Sequence, residues 1–579
     1  MMATEDDFCI RPGKAGNRGS GHARPPSLAA QVRRAAARSG IVSRSARRGG
    51  GTGQLGRGRA VALAGRGQAA ARRVVIKARI VRHGGARFRA APLARHIAYL
   101  EREGVTRDGR DASMFDARTD RADGDAFAAR CADDRHHFRF TVSPEDAGEL
   151  ADLRTFTREL MGDMARDLET GLDWVAVDHW NTDNPHVHIL VRGRADDGGD
   201  LIIDRDYVSH GLRRRAQARA TLELGPRSQV EIAAALGREV EADRMTSLDR
   251  KLIGRADPDG IVDLRPDSVA GGGRGDVLLR GRAQKLERLG LATPVGAARW
   301  RLKPDLEPIL RDLGVRGDII KTMHRAMRGA GHALDGGRLA IHAPGSAEPV
   351  VGRLVARGLH DELSGTAYAV IDGMDGRHHH LRFADLDLTS DAAAGAIVEL
   401  REWRDGRGAA RAALAVRSDL PIDAQIRARG ATWLDRQLLS SGLAESNHGF
   451  GGEVRAAMAA RAEHLIGEGL ATRRGGRVTL APDLIEKLRS ADLRAATAGI
   501  AARTGLTPRE AVPGMPIAGT YRERVTLASG RFAMIDDGLG FQLVPWRPAL
   551  DRQLGMTVTG TLTPGGVDWT LGRNRSLGI

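Results

Sequence analysis

The stretch DHWNTDNPHVHILVRG, Asp178 to Gly193, decides the fold of the N-terminal part of the chain. Trp174 to Trp180 is a short β-type run, and successive side chains of a strand point to opposite sides. His179 therefore shares a face with Val175 and Val177. In the next run, His186, His188 and Leu190 share one face for the same reason.

The residues between the two runs, Asn181 to Pro185, are turn formers and predict a β-hairpin. If His179 pairs with His186 and Val177 with His188, all three imidazoles converge on one face. A slip of one residue would move His179 to the other face. Three neutral imidazoles bind a divalent cation and leave coordination positions open, as a catalytic metal requires. Incidental strand histidines are the alternative.

The segment HWNTDNPHVH resembles the histidine motif of the HUH endonucleases, in particular the conjugative relaxases and mobilisation nucleases. The resemblance covers roughly residues 74 to 245. It implies a five-stranded antiparallel sheet, a Mg²⁺ or Mn²⁺ ion, and an enzyme that attacks one DNA strand with a tyrosine. Ligand softness alone equally allows Zn²⁺ or Ni²⁺. Many relatives carry Asp two residues after the first histidine, where this chain has Asn181. Asn181 and Asp183 are therefore candidates to orient a metal-binding imidazole or to act as a base.

A helix is predicted from Pro92 to Gly104, since proline suits a first helical turn and glycine a helix end. Leu93, Ile97 and Leu100 form its apolar stripe, and Tyr99 lies off that stripe, so we expect Tyr99 to be exposed. The residues three and four positions from Tyr99 are charged or titratable: Arg95, His96, Arg102 and Glu103.

The resemblance carries the role of nucleophile to Tyr99, with Tyr207 as the second candidate; an ordinary tyrosine at a helix edge is the alternative. His96, Glu103 or a water molecule would serve as the base. Arg95 and Arg102 are candidate DNA contacts. Residues 204 to 224 predict a basic helix whose arginines could follow a DNA backbone or simply face solvent. The DNA-binding candidates there are Arg213, Arg214 and Arg215.

The formal charge of +16 is concentrated near the N-terminus. Between Phe8 and Leu100 there are 21 Lys and Arg and no Asp or Glu, which favours a polyanionic partner, although an Arg-rich composition without a partner is the alternative. Residues 1 to 73 are rich in Gly, Arg, Ala and Ser, with almost no aromatic residues after Phe8, and are expected to be disordered. With only two cysteines, no apolar run of membrane-spanning length and no secretory signal, we expect a cytoplasmic protein.

An internal repeat follows residue 245. KLERLGLATPVGAARWRLKPDLEPILRDL, from Lys285, resembles EHLIGEGLATRRGGRVTLAPDLIEKLRSADL, from Glu463, and each copy precedes a β-rich segment. The fold class is α+β, with an HUH-type sheet followed by two tandem winged-helix-like plus β-barrel-like units. The domains predicted are a basic arm (1–73), a nicking domain (74–245), a winged-helix-like module (246–335), a β module (336–400), a second helical module (401–510) and a second β module (511–579).

The C-terminal half also resembles the uncharacterised tail of some proteobacterial relaxases, which implies no defined activity. Three functions remain open. The first is a relaxase that nicks and rejoins single-stranded DNA at a transfer origin through a 5′-phosphotyrosine. Its partners would be relaxosome proteins and the coupling protein of a type IV secretion system, and the enzyme could accompany the strand into a recipient cell. The second is a rolling-circle replication initiator or transposase, and the third a metal-containing DNA-binding regulator.

Overall fold

The computed structural model describes residues 57–58, 70–83, 91–103, 106–180, 184–265, 274–332, 335–342, 348–361, 363–406, 408–440, 446–563 and 565–570. The chain divides into two compact units, Met1–Leu310 and Arg311–Ile579. Most of the predicted basic arm lies outside the described residues. Within the described part, no helix has both the length and the apolar character needed to cross a bilayer.

The first unit is built on a four-stranded antiparallel sheet in the order β1-β2-β4-β3. Its strands are β1 (Val74–Arg82), β2 (His136–Pro144), β3 (Trp174–His179) and β4 (His186–Arg192). The resemblance implies five strands. In the described residues the place outside β3 holds a single β-bridge, in which Phe115 and Ala176 exchange two backbone hydrogen bonds of 2.8 Å.

One face of this sheet carries the main hydrophobic core. Inward side chains alternate along β2 and β4, because successive side chains of a strand point to opposite faces. The helices whose apolar residues join this core are α3 (Leu153–Leu168) and α4 (Leu212–Leu224). Because Phe140 and Ile189 belong to this face, the neighbouring residues of the same strands, His188 among them, point to the other face.

The start of α3 differs from the sequence-based expectation. The segment Ser143-Pro144-Glu145-Asp146 has the spacing of a capping box and predicts a helix start there, but Ser143 lies in β2 opposite Val75. The cap of α3 is Asp152, whose carboxylate accepts hydrogen bonds from the backbone N–H groups of Arg154 and Thr155. β2 pairs with β1 as far as Pro144, so the chain is still in a strand at the predicted capping box. The helix therefore begins later, at Leu153.

Helix α1 (Ala91–Glu103) contacts the opposite face of the sheet through His179 and Leu100, and it packs against α2 (Gly124–Arg130). Leu93, Ile97 and Leu100 are buried, which confirms the predicted stripe. Tyr99 is only 9% exposed, so its expected exposure was wrong. A 3.6-residue repeat marks one buried face of a helix, whereas α1 is covered from more than one side.

The rest of the first unit is a helical module with a small three-stranded sheet in the order β5-β7-β6. Its elements are α5 (Gln229–Glu241), α6 (Ser247–Arg255), β5 (Ile261–Asp263), α7 (Arg274–Arg288), β6 (Ala292–Gly296) and β7 (Arg299–Leu302). The boundary between the two units falls within α8 (Leu306–Gly329).

The second unit contains a six-stranded sheet, the second helical module and a five-stranded sheet. The six strands are β8 (Leu339–Ile341), β9 (Val351–Asp361), β10 (Thr366–Gly373), β11 (His378–Phe383), β12 (Ile397–Arg404) and β13 (Ala410–Ser418). The helical module comprises α9 (Ile422–Ile426), α10 (Trp433–Leu439), α11 (Gly449–Gly467), β14 (Ala471–Arg474), β15 (Arg477–Leu480) and α12 (Leu484–Thr504). The last sheet comprises β16 (Pro516–Leu527), β17 (Gly530–Asp536), β18 (Phe541–Pro545), β19 (Thr557–Thr563) and β20 (Gly566–Thr570).

The two β modules share one topology. The sheet orders are β13-β12-β9-β10-β11 and β20-β19-β16-β17-β18, so corresponding strands of the two modules occupy the same places. In both, the first three strands along the chain are neighbours, and the fourth returns to pair with the first, as in a Greek key. A 3₁₀ turn precedes that fourth strand in each, at Leu386–Thr389 and at Pro548–Gln553. The chain is therefore a mixed α+β protein with several antiparallel sheets.

The two helical modules repeat one buried ion pair, Arg282 with Asp249 and Arg461 with Asp435. All four side chains are fully buried. In each copy the arginine also donates to the carbonyls of the residues nine, seven and five positions before the aspartate. A threonine three positions before the aspartate forms a capping box with it. The repeat therefore begins well before Lys285 and Glu463, where the sequence similarity was first visible.

Candidate metal centre and active site

The β3–β4 hairpin places three histidines on one face of the first sheet. His179 pairs with His186 and Val177 with His188, which confirms the predicted register. The three side chains are 3%, 9% and 4% exposed, respectively. Strand alternation puts them on the face opposite the main core, on the side of α1.

The three imidazoles form a compact cluster. The ring centroid of His179 lies 5.4 Å from that of His186 and 4.7 Å from that of His188. The centroids of His186 and His188 are 4.8 Å apart. One ring nitrogen from each residue lies within 4.8 Å of the others. Among the described residues this is the group of His, Cys, Asp and Glu side chains with the geometry to hold a metal ion.

Backbone carbonyls orient two of the rings. The Nδ1–H of His186 donates to the carbonyl of Asn184 at 2.9 Å, and the Nε2–H of His179 donates to the carbonyl of Leu100 at 2.9 Å. A neutral imidazole carries one N–H, so these bonds leave the other nitrogen of each ring with its lone pair. Metal-ligating histidines are oriented in this way, with the second nitrogen bonded to a carbonyl or carboxylate.

The donor set fits a divalent cation. It supplies three nitrogen donors from one rigid hairpin, and no carboxylate joins them among the described residues. Three protein ligands leave positions open for water or substrate. The geometry fits a metal and does not by itself select which one.

A buried ion pair fixes the hairpin from behind the histidines. Asp178 points to the core face, where Arg154 of α3 donates to it at 2.8 Å and the indole N–H of Trp180 donates to it at 2.8 Å. The guanidinium of Arg154 also lies 5.0 Å from the ring centre of Phe115. Arg107 lies over the Trp180 ring at 5.2 Å. These contacts restrict the strand end that carries His179.

Tyr99 lies on α1, next to the residue whose backbone carbonyl forms a hydrogen bond with the histidine cluster. Its neighbour Leu100 is the carbonyl acceptor for His179. The helix that carries the candidate nucleophile is thus joined directly to a candidate metal ligand. His96, on the same helix, is half-buried.

Tyr207 has a different environment. It is fully buried, and its hydroxyl donates to Asp167 at 2.9 Å. Burial and the neighbouring Asp167 carboxylate raise the pKa of Tyr207 far above its usual value. Its phenol is therefore held neutral and already bonded within the core, which makes it a poor nucleophile.

The remaining predicted residues fall into two groups. Arg215 bonds Asp167 at 2.7 Å across α3 and α4, and Arg213 donates to the Ile76 carbonyl at 3.4 Å, while Arg214 is half-buried. Arg215 thus has a structural partner. The predicted residues that lie outside the described ones are Asn181 and Asp183, together with the side chains of Arg95, Arg102 and Glu103.

Two residues on the histidine face, Arg139 and His83, were not singled out by sequence reasoning. Arg139 of β2 lies directly opposite Arg79 of β1, and its Nε–H donates to the Nε2 of His137 at 3.1 Å. His137 in turn bonds the ring of His83 at 2.7 Å, and His83 bonds the Asp134 carbonyl at 2.6 Å. The alternation in KAR and HHFRF was visible in the sequence, but the pairing of the two strands was not.

Comparison with known families gives one result. A family described as a protein of unknown function, DUF3363, matches residues 279–415 and 401–578, just over half of the chain. The chain belongs to the DUF3363 family. No curated protein matches the chain at a significant level, and no solved structure does so.

The DUF3363 match and the histidine cluster occupy different parts of the chain. The first matched stretch begins within α7 and ends in β13, and the second ends after β20. The matched region therefore covers most of the repeated helical and β modules, whereas His179, His186, His188 and Tyr99 all precede it. Membership of DUF3363 assigns no chemistry to the candidate site.

Proposed function

We propose that this protein is a metal-dependent DNA strand transferase of the HUH relaxase type, which nicks and rejoins one DNA strand. The observation that carries the proposal is the cluster of three buried imidazoles, one of which is bonded to the helix of Tyr99. The resemblance of HWNTDNPHVH to the HUH histidine motif is the second support.

His179, His186 and His188 would hold the ion, with Mg²⁺ or Mn²⁺ proposed from the resemblance. When bound, such an ion withdraws negative charge from the non-bridging oxygens of a phosphodiester. The chain's own contribution is rigidity. The carbonyls of Asn184 and Leu100 set the ring orientations of His186 and His179, and Asp178 with Arg154 holds the strand end.

Tyr99 would be the nucleophile. Its phenolic oxygen forms a bond to the phosphorus while the bond from phosphorus to the 3′-oxygen breaks. The phenolic proton passes to a base, with His96 and Glu103 as candidates, and the departing 3′-oxygen takes up a proton. The products are a 5′-phosphotyrosine and a free 3′-hydroxyl. One phosphodiester replaces another, so the reverse reaction rejoins the strand without ATP.

The biological role that fits this chemistry is the initiation of conjugative transfer or mobilisation of a plasmid or integrative element. The substrate would be single-stranded DNA of a transfer origin, and relaxosome proteins and a secretion coupling protein would be the partners. The basic N-terminal stretch, with 21 Lys and Arg between Phe8 and Leu100, would add affinity through phosphate neutralisation.

The test is a covalent adduct. Full-length protein is incubated with Mn²⁺ and labelled single-stranded oligonucleotides tiled across candidate transfer origins, and the products are separated under denaturing conditions. We expect a protein–DNA band that survives denaturation and disappears in His186→Ala and His188→Ala. If no origin yields a band while the protein still binds DNA, it is a DNA-binding regulator and the proposal is wrong.

A further inference from the structure

Three basic residues lie on the same sheet face as the histidine cluster. Strand alternation places Lys77 and Arg79 of β1 on that face, since Val74 and Ile76 point into the core. Arg139 of β2 is on the same face, because Phe138 and Phe140 are core residues. We call these three residues the basic track.

The strand register sets the distance from the cluster to the track. His188 lies opposite Thr141 of β2, and Thr141 lies opposite Lys77 of β1. Two strand spacings separate His188 from Lys77, or about 10 Å. Arg139 is two residues along β2 from Thr141, and Arg79 pairs with Arg139. The track therefore begins beside the cluster and runs to the edge of the sheet.

The basic track lacks a negatively charged partner among the residues that the structure describes. Within the described part of the chain, no carboxylate pairs with Lys77, Arg79 or Arg139. Arg79 and Arg139 lie directly opposite each other, an arrangement of like charges that destabilises a sheet. Burial and the charge of Arg79 lower the pKa of Arg139 to about 10.

The arginines on the other face of the sheet behave differently. Arg215 and Arg219 of α4 pair with Asp167 and Glu159 of α3. Arg215 and Arg219 are thus paired with carboxylates, whereas no carboxylate among the described residues pairs with the three cations on the histidine face. An external anion would offset the repulsion between Arg79 and Arg139.

Arg139 is also held in a fixed direction. The chain of bonds from the Asp134 carbonyl through His83 and His137 ends on its Nε–H. The terminal nitrogens of the guanidinium have no protein acceptor among the described residues. A fixed guanidinium whose two terminal NH₂ groups point to no acceptor of the described chain suits bidentate binding of a phosphate. β1 is open to solvent on this face, where Val75 is 55% exposed.

We propose that the basic track binds backbone phosphates of the single DNA strand whose neighbouring phosphate lies at the histidine cluster. The inference rests on the proposed function for the identity of the strand. It adds a binding surface that positions the strand across β2 and β1, away from α1.

The experiment measures binding of full-length protein to a labelled oligothymidine over a series of salt concentrations. The main variant is Lys77→Ala with Arg79→Ala, because both side chains are exposed and their loss leaves the core intact. Arg139→Gln is the second variant, and its thermal unfolding is compared with that of the original protein. Arg82→Ala is the matched control, since Arg82 is an exposed cation of the same strand on the opposite face.

Each phosphate contact on single-stranded DNA adds about 0.7 to the slope of log affinity against log salt. The double variant should lower the slope by about 1.4. The ratio of the original protein's affinity to that of the variant should then be roughly 25-fold larger at 0.1 M salt than at 1 M salt. Arg139→Gln should lower it by about 0.7, and Arg82→Ala should leave it unchanged. Slopes equal to that of the original protein in the folded variants would overturn the proposal.

The adduct assay separates this inference from the function on which it rests. If the original protein forms no adduct but the variants show a smaller slope of log affinity against log salt, DNA binding by the basic track is supported and the nicking proposal fails. If the adduct forms and the slopes do not change, nicking stands and the track is wrong.

Discussion

The Nε2 atoms of His186 and His188 lie 3.0 Å apart on adjacent same-face positions of β4. One of these two nitrogens must carry a proton for the pair to form a hydrogen bond. His186 already donates through Nδ1 to the Asn184 carbonyl, which favours a lone pair on its Nε2. His179, His186 and His188 would hold a divalent cation through ring nitrogens, and such an ion would take the place of that shared proton.

The cluster predicts one metal ion per chain. Equilibrium dialysis with Mn²⁺ should give a stoichiometry near one for the original protein. His188→Ala should weaken binding by at least about 10- to 100-fold, which is the loss typical even for residues that only orient a ligand. His210→Ala is the matched control, because His210 is an exposed histidine of the same unit. Equal losses in both variants would contradict a site at the cluster.

His137 predicts a pH dependence of folding in the first unit. It is fully buried, and burial with the nearby charge of Arg139 lowers its pKa to about 2. The unfolded chain binds a proton near pH 6.5, whereas the folded chain does not. The stabilising contribution is therefore complete above about pH 6.5 and is lost as the pH falls, by about 1.4 kcal/mol per pH unit.

Hydrogen exchange of the backbone amides of β2 and β4, corrected for the intrinsic pH dependence of exchange, would measure this dependence between pH 7 and pH 5. His137→Gln keeps a donor and an acceptor but does not titrate, so its free energy of unfolding should change less over the same range. A variant with the same pH slope as the original protein would show that His137 is not the group responsible.

The repeated buried ion pair predicts matched effects on stability. Arg282→Leu leaves Asp249 buried and unpaired, which should cost about 3 to 5 kcal/mol, and Arg461→Leu should do the same to Asp435. Hydrogen exchange of the local helices is the suitable measurement, because a chain with two units need not unfold in one step.

Arg288→Ala is the control for this pair. Arg288 and Glu241 form an exposed ion pair, so its loss should cost less than about 1 kcal/mol. Replacing both Arg282 and Asp249 by apolar residues should recover much of the loss, because no buried charge is then left alone. If the double variant does not recover stability, the stabilisation comes from the hydrogen bonds of Arg282 to backbone carbonyls and not from its ion pair with Asp249.

The local part of the site was predictable from the sequence. The register of His179 with His186 follows from strand alternation and a cluster of turn-forming residues between the two runs, and the burial of Leu93, Ile97 and Leu100 follows from helical spacing. These features depend on residues close together in the chain. The α+β class follows from the order of such elements.

What the sequence did not reveal depends on long-range pairing. Arg79 meets Arg139 only through the register of β1 with β2, and Arg282 meets Asp249 only when α7 packs on α6. Tyr99 is buried because elements from elsewhere cover α1. One signal was available and unused: the segment T-x-L-D-R occurs at 246–250 and again at 432–436, and it marks the start of each repeat.

The measurement that tests the central claim most directly is the identity of the residue joined to DNA. The adduct formed with Mn²⁺ is digested with trypsin and nuclease, and the modified peptide is sequenced by mass spectrometry. We predict a nucleotide on Tyr99, in the peptide from His96 to Arg102, and loss of the adduct in Tyr99→Phe but not in Tyr207→Phe. A nucleotide on Tyr207, or an adduct that persists in Tyr99→Phe, would contradict the account.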